Sequence, residues 1–248
     1  MTTQNCLLDP ARVAELKNNP RCEFSRALEQ KDLGACLLKT AEIHGHFCPG
    51  SALGVMSAVW GLSQLGLDSS FSDGLEELMA IVEINACFVD GVQAVSGCTL
   101  GNNALVYRDL GKHAVTFALR GRETGVRVRV RPDFQRRISQ AAPEFYPMLD
   151  TVIIKREGGP EAAQAFKAIA RQAAFALIEL PFDDLLLMEP TVPQLPDYAP
   201  ITRSLICPGC GEQVMASKVV QEGKAKGLCF SCAGRRPPQV DGRGIVAP

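Results

Sequence analysis

The sequence has no long apolar run and no excess of charge of one sign. Its 26 basic and 27 acidic residues give a formal net charge of −1, so we expect charge to recruit neither nucleic acid nor a membrane surface. No segment reaches the ~18 consecutive apolar residues that a membrane-spanning helix needs. Residues 1–19 lack the basic region, apolar core and cleavage site of a signal peptide. These absences predict a cytoplasmic protein with no membrane partner.

Nucleotide-binding motifs are absent as well, whereas cysteine is abundant. The chain contains neither GxxxxGK[ST] nor a GxGxxG that follows a predicted strand. It contains ten cysteines. Because disulfides are rare in a reducing compartment, clustered cysteines there indicate metal ligands or redox groups. Cys6, Cys22 and Cys36 have no partner at a diagnostic spacing, and no role is predicted for them.

Four cysteines near the C-terminus form two C-x2-C pairs separated by eighteen residues: Cys207, Cys210, Cys229 and Cys232. This spacing is typical of a four-thiolate structural zinc site, with a redox-active pair as the alternative. Four thiolates fill a tetrahedral shell, which leaves no position for chemistry. The ion would supply folding energy that so short a segment lacks.

A proline-rich stretch separates this segment from the rest of the chain. Four prolines within eleven residues predict a stiff, extended linker. The predicted organisation is an α+β domain (1–189), a linker (190–200), a zinc-finger domain (201–236) and a flexible tail (237–248).

Hydrophobic patterning predicts an α+β class with a mixed sheet. Helices are expected at 9–19, 32–43, 51–66, 87–97 and 160–180, and a buried strand at 78–86. Strand-like stretches at 104–109, 113–119 and 125–131 predict an antiparallel meander, and 151–155 and 183–190 predict further strands.

Alternating arginines occur within the stretch 125–131. Arg127, Arg129 and Arg131 would share one face of a strand. That face would either bind an anionic ligand or partner, or be a solvated outer surface. His113, at the start of another predicted strand, is interpreted as structural.

The large domain has a second concentration of metal-capable side chains, in HGHFCPG at 44–50. Cys48 lies just before a predicted helix, where unpaired N–H groups favour a thiolate. His46 and Cys48 are two residues apart, so both can reach one ion. Cys87 follows the predicted strand 78–86, in the kind of loop where ligand sites form.

These positions predict an open metal site made by His46, Cys48 and Cys87, with water at the fourth position. Asp90 lies one helical turn after Cys87 on the same face, and Cys98 follows the predicted end of that helix. The alternative is that Cys87 and Cys98 are ordinary buried cysteines.

The motifs together resemble the FmdE family, which takes its name from formylmethanofuran dehydrogenase. The matching pieces are HGHFCPG at 44–50, EINACFVDGVQ at 83–93 and GCTLG at 97–101, and the resemblance covers roughly 30–190. It implies a thioredoxin-like core with a mixed β-sheet flanked by helices, plus a small treble-clef-type zinc finger. Where other members often have alanine, this chain has Gly91, which is interpreted as a small departure.

The resemblance also implies an active site at the H-x-C loop, which holds zinc in some members. The implied metal ligands are His46, Cys48 and Cys87, with His44 and Cys98 as further candidates. Cys48 and Asp90 are the catalytic candidates. The expected cofactors are Zn²⁺ at the C-terminal cysteines and Zn²⁺ or another divalent transition metal at the N-terminal site.

The function that follows is that of a metal-binding protein of molybdenum- or tungsten-dependent one-carbon metabolism, such as methanogenesis, in an anaerobe. One alternative is a non-catalytic adaptor or metal- and cofactor-delivery protein that acts through the zinc finger. Another is a thiol redox protein that uses Cys48 with Cys87 or Cys98. One expected partner is a second copy of the chain, because two-fold dimers are the commonest assembly. The other is an oxidoreductase.

Overall fold

The computed structural model describes residues 9–67 and 75–247, so Cys6 lies outside the described part. The chain forms two compact units, Met1–Leu195 and Pro196–Pro248, and the division between them falls inside the predicted linker. None of the helices in the described residues has both the length and the apolar character needed to cross a membrane.

The first unit is built from helices around one sheet. The helices are α1 (Pro10–Asn18), α2 (Cys22–Glu29), α3 (Leu33–His44), α4 (Pro49–Gln64), α5 (Cys87–Ser96), α6 (Phe134–Ala141), α7 (Phe145–Met148), α8 (Gly159–Ile178) and α9 (Phe182–Leu185). A π-helical turn, Leu149–Ile154, follows α7. The strands are β1 (Leu78–Val82), β2 (Leu105–Tyr107), β3 (Ala114–Leu119), β4 (Gly125–Val130) and β5 (Leu186–Thr191).

The sheet has the order β2-β1-β3-β4-β5. β1 and β2 are parallel, and the other neighbouring pairs are antiparallel. This five-stranded mixed sheet with flanking helices confirms the predicted α+β class.

Several local predictions were wrong. β2 does not continue an antiparallel meander into β3, because α5 provides the crossover that places β2 parallel to β1 on the opposite side from β3. The stretch 151–155 lies in a π-helical turn rather than a strand. The buried strand ends at Val82, and 183–190 begins with the last turn of α9. The helices α2, α6 and α7 were not predicted.

The centre of the unit is α4, whose residues are almost all buried. It packs against α5, and the two backbones touch where glycines face each other. A Cβ at Gly91 would lie 2.5 Å from the carbonyl oxygen of Ser51 and 2.6 Å from the nitrogen of Val55, and one at Gly54 would overlap the carbonyl group of Phe88. Gly91 therefore has a packing role, because this approach of the helices has no room for a methyl group.

The other face of the sheet carries an arginine held between two carboxylates. Arg127 on β4 donates from Nε and Nη2 to the two carboxylate oxygens of Glu83, at 2.7 and 2.8 Å, and from Nη1 to Glu189 at 2.8 Å. Glu83 is buried. The hydrogen bonds with Arg127 lower the pKa of Glu83, so the pair is ionised.

The second unit contains two short hairpins. One joins β6 (Ser204–Ile206) to β7 (Gln213–Met215) and is followed by a 3₁₀ turn, Ala216–Lys218. The other joins β8 (Gln239–Asp241) to β9 (Gly244–Val246), within the residues that were predicted to form a flexible tail. The sequence VDGRGIV carries the Asp-Gly signal of a tight hairpin, and the Asp241 carboxylate accepts hydrogen bonds from Arg243.

We expect Gly91→Ala to lower the free energy of unfolding by about 3 kcal/mol, because the methyl group would force α4 and α5 apart. Gly101→Ala is the matched control, since a Cβ there would meet only Thr99 Oγ1, at 3.8 Å. Urea unfolding followed by circular dichroism measures both changes. Equal stabilities for the two variants would contradict the close contact between the backbones of α4 and α5.

We expect Glu83→Gln to lower the free energy of unfolding by roughly 2 kcal/mol at neutral pH, because Arg127 loses a buried carboxylate partner. The lowered pKa of Glu83 means that its contribution is complete above the ordinary value of 4.5 and is lost as the pH falls through the folded-state pKa. Urea unfolding across this range should show the variant and the parent converging at low pH. Glu189→Gln, which removes the exposed partner of the same arginine, should lower the free energy of unfolding by less. If the loss caused by Glu83→Gln did not change with pH, the ion pair between Glu83 and Arg127 would not be its cause.

Candidate metal centre

The HGHFCPG segment joins α3 to α4 and turns sharply at two points. Gly45 ends α3 in the left-handed conformation, with φ of +81°, so His44 is the last helical residue and His46 lies in the loop. Cys48 is the N-cap of α4 and is followed by Pro49. Ser51 completes a capping box with Cys48, and this satisfies N–H groups that begin the helix.

Cys87 reaches the same place from the sheet. It is the first residue of α5, after the loop that leaves β1. The close approach of α4 and α5 brings it alongside the start of α4, where a Cβ at Gly50 would lie 2.9 Å from the Cβ of Cys87. The helix contact therefore determines which side chains meet.

Four side chains converge here, and we call them the N-terminal cluster: His44, His46, Cys48 and Cys87. One ligand atom from each lies within 4.8 Å of the others. The three predicted ligands come together, and His44, a further candidate, joins them. Its Nε2 lies 3.6 Å from Cys48 Sγ, and the two imidazole rings are 4.3 Å apart.

The electrostatics of the cluster favour a thiolate at Cys48. The Cys87 thiol donates a hydrogen bond to the Cys48 sulfur, Ser51 N–H donates another at 3.4 Å, and His44 lies nearby. Together these groups lower the pKa of Cys48 to about 4, although the residue is buried. Donation to Cys48 raises the pKa of Cys87. Without a metal ion, one thiolate and one thiol therefore share the site.

Asp90 orients His44 from behind. Its Oδ2 lies 2.7 Å from His44 Nδ1, and its other oxygen accepts a hydrogen bond from Gln93 at 3.2 Å. Burial alone would lower the pKa of His44, but the bond to Asp90 and the nearby Cys48 raise it overall. A carboxylate on the far nitrogen of a histidine is the usual support of a metal ligand.

Other candidates lie elsewhere. Cys98 is fully buried, and its thiol donates to the carbonyl of Leu78 at 3.4 Å, away from the N-terminal cluster. Burial raises its pKa to about 11. Cys22 and Cys36 are buried in the helical layer. Ser51 was missed, because Cys-x-x-Ser lacks the S/T-x-x-E/Q pattern by which a capping box is found in a sequence.

The N-terminal cluster has one side that is open to solvent. A groove of about 240 Å³, which we call the His46 groove, runs beside it and is lined by Gly45, His46, Phe47, Gln164, Lys167, Ala168 and Arg171. The two cations are one turn apart on α8 and are exposed. A solute can therefore approach His46 from this side.

The second unit contains the other cluster, called the C-terminal cluster: Cys207, Cys210, Cys229 and Cys232. One sulfur from each lies within 4.8 Å of the others. Cys229 N–H donates to Cys207 Sγ at 3.3 Å and lowers the pKa of Cys207 to about 6, and Cys232 N–H donates to Cys229 Sγ at 3.4 Å. These bonds fit a zinc finger. The described residues of the second unit, 196–247, include no α-helix, and a single turn follows Cys229.

Known proteins match most of this chain. Residues 43–187 match the family model described as FmdE, molybdenum formylmethanofuran dehydrogenase operon. A probable S-adenosyl-L-methionine-binding protein of Archaeoglobus fulgidus is 40% identical over 226 residues, which are 90% of this chain and 59% of that relative. The chain thus spans well under two thirds of the relative's length.

A solved structure is also similar. It is a tungsten formylmethanofuran dehydrogenase FmdE-like protein from Syntrophus aciditrophicus, with a TM-score of 0.48 and 18% identity. The similarity covers 82% of this chain and 92% of that one.

We expect Asp90→Asn to weaken metal binding at the N-terminal cluster about 10- to 100-fold, because His44 loses the carboxylate that orients it. Competition with a chromophoric chelator measures the affinity. Asp133→Asn, at an exposed carboxylate paired with Arg136, is the control. An Asp90→Asn affinity equal to that of the control would mean that Asp90 has no part in the site.

Proposed function

Because this chain belongs to the FmdE family, we propose that it is a metalloprotein that acts alongside formylmethanofuran dehydrogenase or a related molybdenum or tungsten enzyme of one-carbon metabolism. One observation carries the metal part of this proposal: two imidazoles and two thiol groups converge within 4.8 Å, and a carboxylate supports one imidazole. Family membership carries the metabolic part.

The donors suit a zinc-type ion. Two sulfurs and two nitrogens are the ligands that Zn²⁺ takes in tetrahedral sites, and other borderline divalent metals follow the same preference. His44 would bind through Nε2, because its Nδ1 is engaged by Asp90. Cys48 offers a ready thiolate, and Cys87 would lose its proton on binding.

The number of protein ligands decides what the ion can do. If all four side chains bind, the shell is closed and the ion is structural unless a fifth ligand enters. If His44 stays outside it, the predicted open position exists beside His46, Cys48 and Cys87. A bound ion with an open position polarises a carbonyl or lowers the pKa of a water molecule. In that arrangement His44, supported by Asp90, lies beside the open position and can hold a proton on its Nε2.

Metal analysis of the full chain tests the proposal. We expect two ions per chain, one from each cluster. Cys48→Ser with Cys87→Ser should remove one, and Cys207→Ser with Cys210→Ser should remove the other, because each pair supplies half of a donor set. Elemental analysis with parallel circular dichroism distinguishes lost metal from lost folding.

One result would contradict the proposed metal centre at the N-terminal cluster. Folded protein from zinc-replete cells that carries metal only at the C-terminal cluster would exclude the proposed centre. His44→Ala then separates the two ligand sets: retained stoichiometric metal favours the open three-ligand site, and lost metal favours the closed one.

Association with a larger enzyme is tested by purification. The separate C-terminal unit, with its own cysteine cluster, suits an adaptor or a metal-delivery protein. A tagged chain at its native level should recover a molybdenum or tungsten oxidoreductase. The Cys207→Ser, Cys210→Ser variant should lose that enzyme if the C-terminal unit is the docking module. Loss with the N-terminal variant alone would assign docking to the large unit.

A second candidate function is thiol redox chemistry. Cys48 is already a thiolate beside the Cys87 thiol, and such a pair closes to a disulfide when a partner disulfide takes up its two electrons. After exposure to oxidised glutathione, the parent should lose two free thiols on titration and carry no bound glutathione, because Cys87 displaces it from Cys48. Cys87→Ser should lose one thiol and keep the glutathione as a mixed disulfide. Protection of both thiols by bound metal would favour the metalloprotein.

The archaeal relative adds a ligand to test. That protein is named as a probable S-adenosyl-L-methionine-binding protein, and its 40% identity extends over 90% of this chain. Calorimetric titration of the full chain with S-adenosyl-L-methionine measures whether the shared part binds it.

A further inference from the structure

A cationic groove lies at the end of β4, and its lining includes none of the four residues of the N-terminal cluster. This β4 groove encloses about 440 Å³ and is lined by Lys112, His113, Arg127, Arg129, Val130, Arg131, Pro132 and Phe134. Four of these side chains are cations. The volume lies within the range typical of small-molecule sites.

Two of the arginines are held in place by the fold. Arg127 is fixed by its bonds to Glu83 and Glu189, whose two negative charges exceed its single positive charge. Arg131 donates from Nε to the carbonyl of Asp183 at 2.6 Å. That bond uses the inner nitrogen and leaves the two terminal nitrogens of Arg131 as donors. Guanidinium groups fixed in this way lose little entropy when they bind a ligand.

Lys112 and Arg129 add two further positive charges to the groove. Within the described residues neither side chain takes part in a salt bridge. The backbone N–H of Lys112 donates to the carbonyl of Glu83 at 2.9 Å, which fixes the loop that carries it. Arg129 lies two residues from Arg127 on the same face of β4. Cations therefore enter the groove from two separate elements.

An aromatic wall forms another side. His113 and Phe134 have ring centroids 5.7 Å apart, and His113 also meets the edge of Phe88 at 6.0 Å. Burial lowers the pKa of His113, so its ring is uncharged at neutral pH. A planar organic group can pack on this wall.

We propose that the β4 groove binds a phosphate-bearing small molecule with a planar organic group. A carboxylate is satisfied by one guanidinium fork, whereas the oxygens of a phosphate accept donors from several directions, as Lys112, Arg129 and Arg131 provide. Glu83 and Glu189, both bound to Arg127, offset two of the four positive charges that line the groove, so its potential stays positive. Nucleic acid is the less favoured occupant, because the cations form one compact pocket and the chain has a net charge of −1.

Calorimetry on the full chain tests this with two probes, inorganic phosphate and phenyl phosphate. We expect saturable binding near one to one, with phenyl phosphate tighter. Lys112→Gln with Arg129→Gln should weaken both probes about tenfold or more, since charge-assisted hydrogen bonds are lost. Phe134→Leu should weaken phenyl phosphate and leave inorganic phosphate unchanged.

The matched control is Arg136→Gln, which removes an exposed arginine on α6 that does not line the groove. Circular dichroism establishes that each variant is folded. The proposal fails if wild type shows no saturable binding at millimolar probe, or if the control weakens binding as much as the groove variants do. It also fails if Cys48→Ser abolishes binding, which would place the phosphate on a metal ion.

A further titration distinguishes binding of a small molecule from binding of nucleic acid. A ten-nucleotide single strand is titrated at two salt concentrations. Tight, strongly salt-dependent binding of the strand, with neither phosphate probe bound, would overturn the proposal in favour of a nucleic-acid surface. Weak strand binding alongside saturable phenyl phosphate supports the small molecule.

Discussion

The contact between the backbones of α4 and α5 brings together the two cysteines of the N-terminal cluster, on which the proposed function depends. Gly54 and Gly91 let the two helices touch without intervening side chains, and the methyl group of an alanine at Gly91 would meet backbone atoms. Because both helices begin at one end of this contact, the cysteine that caps α4 and the cysteine that starts α5 are brought together. The core therefore sets the geometry of the site, and a core change acts on it without altering a ligand.

The N-terminal cluster is electrostatically prepared before any ligand arrives. A buried thiolate is costly unless donors compensate it, and Cys48 receives them from Ser51, from the Cys87 thiol and from His44. Asp90 accepts from the far nitrogen of the His44 imidazole, which raises the pKa of His44 and favours its positive charge beside the thiolate. A divalent ion in the middle would replace these weaker donors and release protons. The C-terminal cluster differs, because its four sulfurs are placed to hold short strands together in a unit with little core of its own.

Much of this arrangement could be predicted from local chemistry, and what could not depends on tertiary contacts. The spacing of His46 and Cys48 before a proline-started helix, and of Cys87 after a buried strand, was enough to group them. His44 belongs with them because Gly45 reverses the chain, which an H-G-H motif alone does not establish. The neighbours of β2 depend on a crossover rather than on the strand's own residues, and 151–155 has strand-like composition but lies in a π-helical turn. Cys98 could not be placed from its motif, because its direction depends on the Leu78 carbonyl.

The segment that joins β1 to α5 serves both candidate sites of the large unit. Glu83 fixes Arg127 and accepts the backbone N–H of Lys112 on one side. Four residues later Cys87 enters the N-terminal cluster, and the next side chain, Phe88, contacts His113 at the wall of the β4 groove. A rearrangement of this short segment would therefore move a candidate metal ligand and a groove wall together. Because Phe88 is fully buried and its carbonyl lies against Gly54, the segment has little room to adjust at one site alone. The candidate ligand Cys87 and the wall of the β4 groove are thus carried by one segment, which the same helix contact holds in place.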